Sequence, residues 1–247
     1  MHGVVAAGAI APPELRARGV ERIPLLRVGG ETVLARVCRC LLTGGGCEHV
    51  HVLAPPEVEL PDDPAVSRAP YTGGIVDDVL SCVSQLTSGE AVLVASGDMP
   101  LLTPEAVAAL CEYAAGSGAV CVYPLGEREA VEARFPGTKR TYRRVGGKDY
   151  TGGNVFWLSR DWFLERGPLF RELFARRKDP IGLARLFGLW FTLRVLFGWV
   201  TLEYIERYLS RLLRGQIRAA VLPFPELAVD LDKNADLDTF VPYLDAF

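Results

Sequence analysis

The run Ala91-Val92-Leu93-Val94-Ala95-Ser96-Gly97 leads directly into a lone carboxylate, Asp98, followed by Met99-Pro100. Val92 to Ala95 is short, β-branched and apolar on both faces, the pattern of a strand covered by helices on each side. Pro100 cannot continue a ladder. Thr103-Pro104-Glu105 then supplies a cap, a first-turn proline and an acidic first turn for the helix that follows. Asp98 is therefore expected at the carboxyl end of a central strand, where open α/β sheets bind their ligands. A carboxylate there can serve a hard cation or can merely cap a turn, and the local sequence leaves both readings open. A second acidic group, Asp230-Leu231-Asp232, sets two carboxylates two residues apart, so on an extended segment they point the same way.

Other residue types weigh less. Cys47-Glu48-His49-Val50-His51 places His49 and His51 on one face of an expected strand, but no second ligand pair is visible and a metal site is not expected there. Lys139, Arg140 and Arg143 form a local basic patch that suits a phosphate or phosphonate as well as it suits a solvated loop.

The elements that must position these groups alternate. Val4–Ala7 reads as a first buried strand, followed by Gly8 and a loop carrying Arg16, Arg18 and Arg22. Val28-Gly29-Gly30 is a tight turn, and Val33, Leu34, Val37 and Leu41 have helical spacing ended by Gly44-Gly45-Gly46. A strand at 49–53 stops at Pro55-Pro56. Residues 57–70, acidic and proline-bearing, read as a surface connection. A helix over 74–86, the strand at 92–95, a helix over 104–115 and a strand at 119–123 follow. The alternation then breaks in the charged stretch 124–150, which ends at Thr151-Gly152-Gly153-Asn154. A strand at 155–158, helices over about 160–213, extended pieces at 221–224 and 227–229, and a last helix from near Ala235 complete the reading. The pattern predicts an α/β three-layer sandwich with a mixed, mostly parallel sheet and an extra C-terminal helical cluster. One domain over 1–247 is expected, with the helical insertion at about 160–213.

The 247 residues are 49% hydrophobic and carry a net charge of -3, enough apolar surface for a large core and no electrostatic case for nucleic acid. The six cysteines include no C-x-x-C pair and read as reduced core residues of a cytoplasmic protein. Met1-His2-Gly3-Val4-Val5 lacks a basic region followed by a long apolar run, so no signal peptide is expected. Ile181 to Val200 is rich in Leu, Phe and Trp, but Arg185 and Arg194 interrupt it, and a central arginine costs a spanning helix roughly 2.5 kcal/mol or more. Two short amphipathic helices are expected instead of a transmembrane span. Their apolar face suits packing on the body, a homodimer contact or a peripheral lipid contact through 181–200.

Taken in order, Val4-Val5-Ala6-Ala7-Gly8, Leu25-Leu26-Arg27-Val28-Gly29-Gly30, Gly97-Asp98-Met99-Pro100-Leu101, Thr151-Gly152-Gly153-Asn154 and Val229-Asp230-Leu231-Asp232 resemble the MobA-like nucleotidyltransferases, on a GT-A-like, Rossmann-type sheet. The resemblance covers nearly the whole chain. It implies a Mg2+-dependent enzyme that transfers an NMP from a nucleoside triphosphate to a small phosphorylated acceptor and releases pyrophosphate. It also implies roles: Asp98 with Asp230 or Asp232 for the metal, Ala6, Ala7, Gly8, Arg16 and Arg18 for the nucleotide, and Lys139, Gly152, Gly153 and Asn154 for the acceptor. Magnesium takes hard oxygen ligands, typically one or two carboxylates beside substrate phosphates, and the resemblance favours Asp230 as the second of them. Asp232 also suits a helix cap.

The chain departs from its relatives at the first loop. Their usual start is Leu-Ala-Gly-Gly, and this chain has Ala6-Ala7-Gly8-Ala9. Their lysine before the Gly-Gly turn falls on Ile23, which leaves Arg22 as the candidate catalytic cation, since a guanidinium can hold phosphate in a fork. Two other readings stay open: a catalytically inactive nucleotide-binding or regulatory protein, and a nucleotide-sugar glycosyltransferase. Against the latter, Gly97-Asp98-Met99-Pro100 lacks a second aspartate at that strand end.

Overall fold

The computed structural model describes residues 1–11, 13–176 and 179–231. Strands β1 (His2–Ala6), β2 (Arg27–Val28), β3 (Glu31–Thr32), β4 (His49–Leu53), β5 (Val66–Ala69), β6 (Ala91–Ser96), β7 (Cys121–Glu127), β8 (Arg143–Val145), β9 (Lys148–Gly152), β10 (Val155–Ser159) and β11 (Ile217–Val221) alternate with helices in the first half of the chain. The helices are α1 (Pro13–Arg16), α2 (Val33–Thr43), α3 (Ile75–Ser84), α4 (Pro104–Ser117), α5 (Arg128–Arg134), α6 (Arg160–Glu165), α7 (Gly167–Arg176), α8 (Pro180–Phe187), α9 (Leu189–Leu196) and α10 (Leu202–Leu212).

Nine strands form one mixed sheet in the order β5-β4-β1-β6-β10-β7-β9-β8, with β11 beside β7. Strands β5, β4, β1 and β6 run parallel, as does β11 on β7, whereas β10 and the β7-β9-β8 group are antiparallel to their neighbours. Side-chain alternation divides the apolar residues between two faces. Val5, Leu93 and Ala95 meet α2 and α4 through Leu34, Val37, Val107 and Leu110, while Val4 and Val92 meet α3 and α6 through Leu80, Val83, Trp162 and Phe163. This is the predicted three-layer sandwich.

Local chemistry sets the ends of elements as the sequence implies. Thr32 and Thr103 accept hydrogen bonds from Ala35 and Ala106 amides at 3.1 and 3.2 Å, capping α2 and α4. Gly29 and Gly30, both at positive φ, make the two-residue turn between β2 and β3.

Several details differ from the expectation. Residues 57–70 hold an edge strand, β5, because backbone pairing with β4 needs no apolar face of its own. Strand β7 continues through Pro124 to Glu127, and residues 225–228 form a 3-10 turn instead of an extended piece. Asp230 follows that turn in an irregular segment and not on a strand. Asp232 and the expected helix from Ala235 lie outside the described residues.

Parallel register brings all three histidines together at the opposite end of the sheet from Asp98. His2 pairs with His49 and Val4 with His51, so the three rings share one face. His2 Nδ1 and His51 Nε2 are 3.2 Å apart, His49 Nε2 is 2.7 Å from Ser67 Oγ, and Glu90 lies 3.5 Å from His2. Burial, followed by the neighbouring His49 and His2, pushes His51 down from 6.5 to about 4. An unfolded chain thus takes up a proton that the folded chain refuses between these two values, so stability is fully present above pH 6.5 and falls as pH drops towards 4. Thermal melts should show this decline, and His51→Gln should flatten it across that window.

Candidate functional site

The site is built at the carboxyl ends of β1 and β6. Strand β1 ends at Ala6, whose carbonyl accepts from Gly97 N at 2.9 Å, and Ala7 N donates to Leu53 O on β4 at 2.9 Å. A side chain on Gly97 would put its Cβ 2.9 Å from Ala7 Cβ and 3.1 Å from Ala6 O. Only glycine lets the Asp98 turn lie flush against the first loop.

The first loop is closed by its own cation. Ala11 N donates to Glu21 O at 3.0 Å, and Arg22 donates from Nη1 to Gly8 O at 2.8 Å and from Nη2 to Glu57 Oε1 at 2.6 Å. The arginine clamps the backbone of the loop. Ile23, where the resemblance would set a lysine, is buried in the core within a 3-10 turn. Arg16 and Arg18 lie exposed on α1 and the turn after it.

Opposite the loop stands a segment that sequence reasoning missed. A Cβ on Gly8 would fall 2.9 Å from the Tyr71 ring, so Tyr71 covers Gly8. The following residues are gathered by one buried carboxylate, Asp78 in the first turn of α3. It accepts from Thr72 N at 3.0 Å, Thr72 Oγ1 at 2.6 Å and Gly73 N at 3.1 Å. The signal was present as Thr72-Gly73-Gly74 before a helix with an aspartate on its inner face.

Asp98 is buried at 8% exposure, and its carbonyl accepts from Leu231 N at 2.9 Å. That bond joins the two acidic segments through their main chains. Asp230 is already engaged: the Arg140 guanidinium, itself 7% exposed, bonds both its carboxylate and its carbonyl oxygen. The basic patch therefore divides, with Arg140 turned inward while Lys139 and Arg143 are exposed. Glu226, another buried group missed from sequence, accepts from Thr103 Oγ1 at 3.1 Å and ties the segment before Asp230 to the start of α4.

Asp98 and Asp230 offer hard carboxylate oxygens from adjacent segments, a donor set that suits Mg2+ when substrate phosphates and water complete the shell. A cation at Asp230 would take over charge neutralisation from Arg140. Among the described residues no three His, Cys, Asp or Glu side chains converge as a metal cluster.

Gly152, Gly153 and Asn154 form a bulge. Between the pairs Leu125↔Gly152 and Val122↔Trp157, β7 advances three residues and its partner strand five, so two residues are extruded. Gly153 N bonds Pro124 O at 2.8 Å, Asn154 N bonds Leu227 O at 2.9 Å, and Asn154 O accepts from Ser96 N at 2.9 Å. Asn154 thereby links the bulge to the end of β6, two residues before Asp98. Backbone holds Gly153 to glycine, whereas at Gly152 the hydroxyl end of the Tyr123 ring would have to move. Cβ on Gly152 would lie 2.8 Å from Tyr123 Cζ, and Cβ on Gly153 2.8 Å from Pro124 O and 2.9 Å from Leu227 O.

A family model described as the MobA-like NTP transferase domain matches residues 19–218. A hypothetical transferase from Thermus thermophilus is 34% identical, with a TM-score of 0.81 over 96% of this chain and 98% of its own. More distant solved structures share the fold. CMP:2-keto-3-deoxy-manno-octonic acid synthetase complexed with CTP is 13% identical at a TM-score of 0.59, over 100% of this chain and 98% of its own. The 2-C-methyl-D-erythritol 4-phosphate cytidylyltransferase from Thermus thermophilus is 15% identical at a TM-score of 0.53, over 98% of this chain and 96% of its own. Comparison with curated protein sequences finds no match. The fold is that of the nucleotidyltransferases. The chain belongs to the MobA-like NTP transferase family.

Replacing Gly153 with alanine should cost about 1–3 kcal/mol, because the new methyl meets backbone that cannot retreat. Gly116→Ala, on an exposed and open face of α4, should instead stabilise by up to ~1 kcal/mol. Guanidinium titration of both variants checks the contrast.

Proposed function

We propose that the chain is a Mg2+-dependent nucleotidyltransferase that moves an NMP from a nucleoside triphosphate to a small phosphorylated acceptor. An acceptor phosphate oxygen attacks the α-phosphorus in line, the bond from that phosphorus to the bridging oxygen breaks, and pyrophosphate leaves with the electron pair. An acceptor phosphate that is already ionised needs no general base. What supports the reading is one set of main-chain bonds: Gly97 to Ala6, Leu231 to Asp98 and Ser96 to Asn154. They tie the first loop, both acidic segments and the bulge to one rim of the sheet.

On this reading Ala6, Ala7 and Gly8 lend backbone to the triphosphate, with Arg16 and Arg18 on the nucleotide side. Arg22 holds the loop through the Gly8 carbonyl and adds positive charge where pyrophosphate departs. Lys139, Gly152, Gly153 and Asn154 form the acceptor side, Lys139 through charge and Asn154 through its amide. Asp98 and Asp230 would hold Mg2+, with Asp232 as a further candidate, and the chemistry supplied there would be neutralisation of charge on the phosphates. The six free cysteines, five of them buried, suit a cytoplasmic enzyme, and residues 1–247 act as one domain with the helices of 160–213 added to it.

The Arg140–Asp230 pair favours one competing reading, a nucleotide-binding protein without turnover in which the arginine permanently replaces the metal. Pyrophosphate release decides between them. The purified chain should release pyrophosphate from at least one of ATP, CTP, GTP and UTP with a phosphorylated acceptor and Mg2+. EDTA should abolish release, and Asp98→Asn should lower it by about 100-fold or more while leaving the melting temperature close to wild type. Nucleotide-induced thermal stabilisation without any release would instead establish the binding protein.

A further inference from the structure

Six of the ten strongly exposed large apolar side chains among the described residues fall within residues 181–199: Ile181, Leu189, Trp190, Leu196, Phe197 and Trp199. Trp190 and Trp199 are 77% and 72% exposed. They lie on α8, α9 and the turn after α9. This region is not a loosely folded piece of core, because its inner side is already packed. Phe191 is buried and stacks on Tyr208 with ring centres 4.0 Å apart, and the Tyr208 hydroxyl bonds the Phe187 carbonyl. Gly146 N bonds Val200 O at 2.7 Å, anchoring the end of the hairpin to the β8-β9 turn. The outward apolar face is thus surplus to folding, and so large a patch marks an interaction surface.

Charge selects the partner. Between residues 180 and 202 the only charged side chains are Arg185 and Arg194. Residues 160–218 carry twelve basic and six acidic side chains, a balance of +6 within a chain whose net charge is -3. A symmetric second copy would lay this patch on itself, setting arginine towards arginine with no carboxylate of 180–202 to pair with them. An anionic headgroup layer supplies the missing charge. Exposed tryptophan rings prefer the headgroup boundary, and apolar side chains rimmed by arginine suit a helix lying in the plane of that boundary. Each helix has eight residues, roughly 12 Å of length against a hydrocarbon core of about 30 Å, so the hairpin lies on the bilayer and does not cross it. Among the described residues no helix is long and apolar enough to span a membrane.

We propose that the α8–α9 hairpin docks this protein on an anionic lipid bilayer through Trp190, Trp199 and their apolar neighbours. The hairpin rests on β8, where Gly198 approaches the Arg144 carbonyl, and the β8-β9 strands lead into the Gly152–Asn154 bulge. The inference stands on exposure and charge alone and does not require the nucleotidyl transfer proposed above.

Co-sedimentation of the full chain with vesicles tests it. Binding to phosphatidylcholine–phosphatidylglycerol vesicles should exceed binding to phosphatidylcholine alone by about tenfold or more and should weaken as salt is added. The double variant Trp190→Ser, Trp199→Ser should lose most of this binding at an unchanged melting temperature. In the unaltered chain, brominated lipids in the anionic vesicles should quench tryptophan fluorescence, a readout that needs no variant. Absence of anionic-vesicle binding, absence of quenching, or binding that survives in the double variant overturns the proposal. A concentration-dependent dimer that the double variant returns to monomer, without vesicle binding, also overturns it and assigns the face to a second copy.

Discussion

The close approach of Gly97 to Ala7 is the contact on which the site depends. Strands β1 and β6 are neighbours in register, and at their carboxyl ends both chains must turn away within the width of one strand spacing. With no side chain at Gly97 and only a methyl at Ala7, the turns stack and Gly97 N reaches the Ala6 carbonyl. A larger residue at either position would separate the first loop from Asp98. Everything that follows, including the Leu231 bond to the Asp98 carbonyl, extends this junction by main-chain hydrogen bonding. Backbone bonds position more rigidly than side chains do, since they carry no rotamers of their own.

Charge at the rim is held in reserve by internal partners. Arg140 sits on Asp230, Arg22 on the Gly8 carbonyl and Glu57, and Asp78 on the amides of Thr72 and Gly73. Each pairing satisfies a group that would be costly to leave buried alone. Each also fixes a loop at the carboxyl end of the sheet. At the first loop the two neighbouring residues divide: Ile23 packs inward and Arg22, one residue earlier, turns to the loop.

The bulge at Gly153-Asn154 follows a related logic. A continuous β9-β10 strand would pair smoothly with β7 and close the rim. Two extruded residues open it, redirecting the Asn154 backbone to Leu227 on one side and Ser96 on the other. Pro124, directly across, offers a carbonyl but no amide, so the ladder is already weakened where the bulge forms. Gly153 is there because β7 and the 225–228 turn leave no room for Cβ, whatever ligand the rim binds, and Gly152 leaves space for the Tyr123 ring.

Local pattern alone determined the elements with strong signals: the apolar β6 strand ending at Asp98, the Thr103-Pro104-Glu105 start of α4, the Gly29-Gly30 turn and the alternation that makes a three-layer sheet. These follow from side-chain period, capping and backbone sterics, all of which act over a few residues. The short edge strand β5 was hidden because its pairing is made by backbone and its side chains are polar or half exposed. Only the tertiary structure decided that His2 joins His49 and His51, that Arg140 and not Lys139 turns in to Asp230, and that Asp78 organises the loop facing Gly8. Those contacts join residues brought together by strand register or by the turning of a loop, and no spacing along the chain encodes either one.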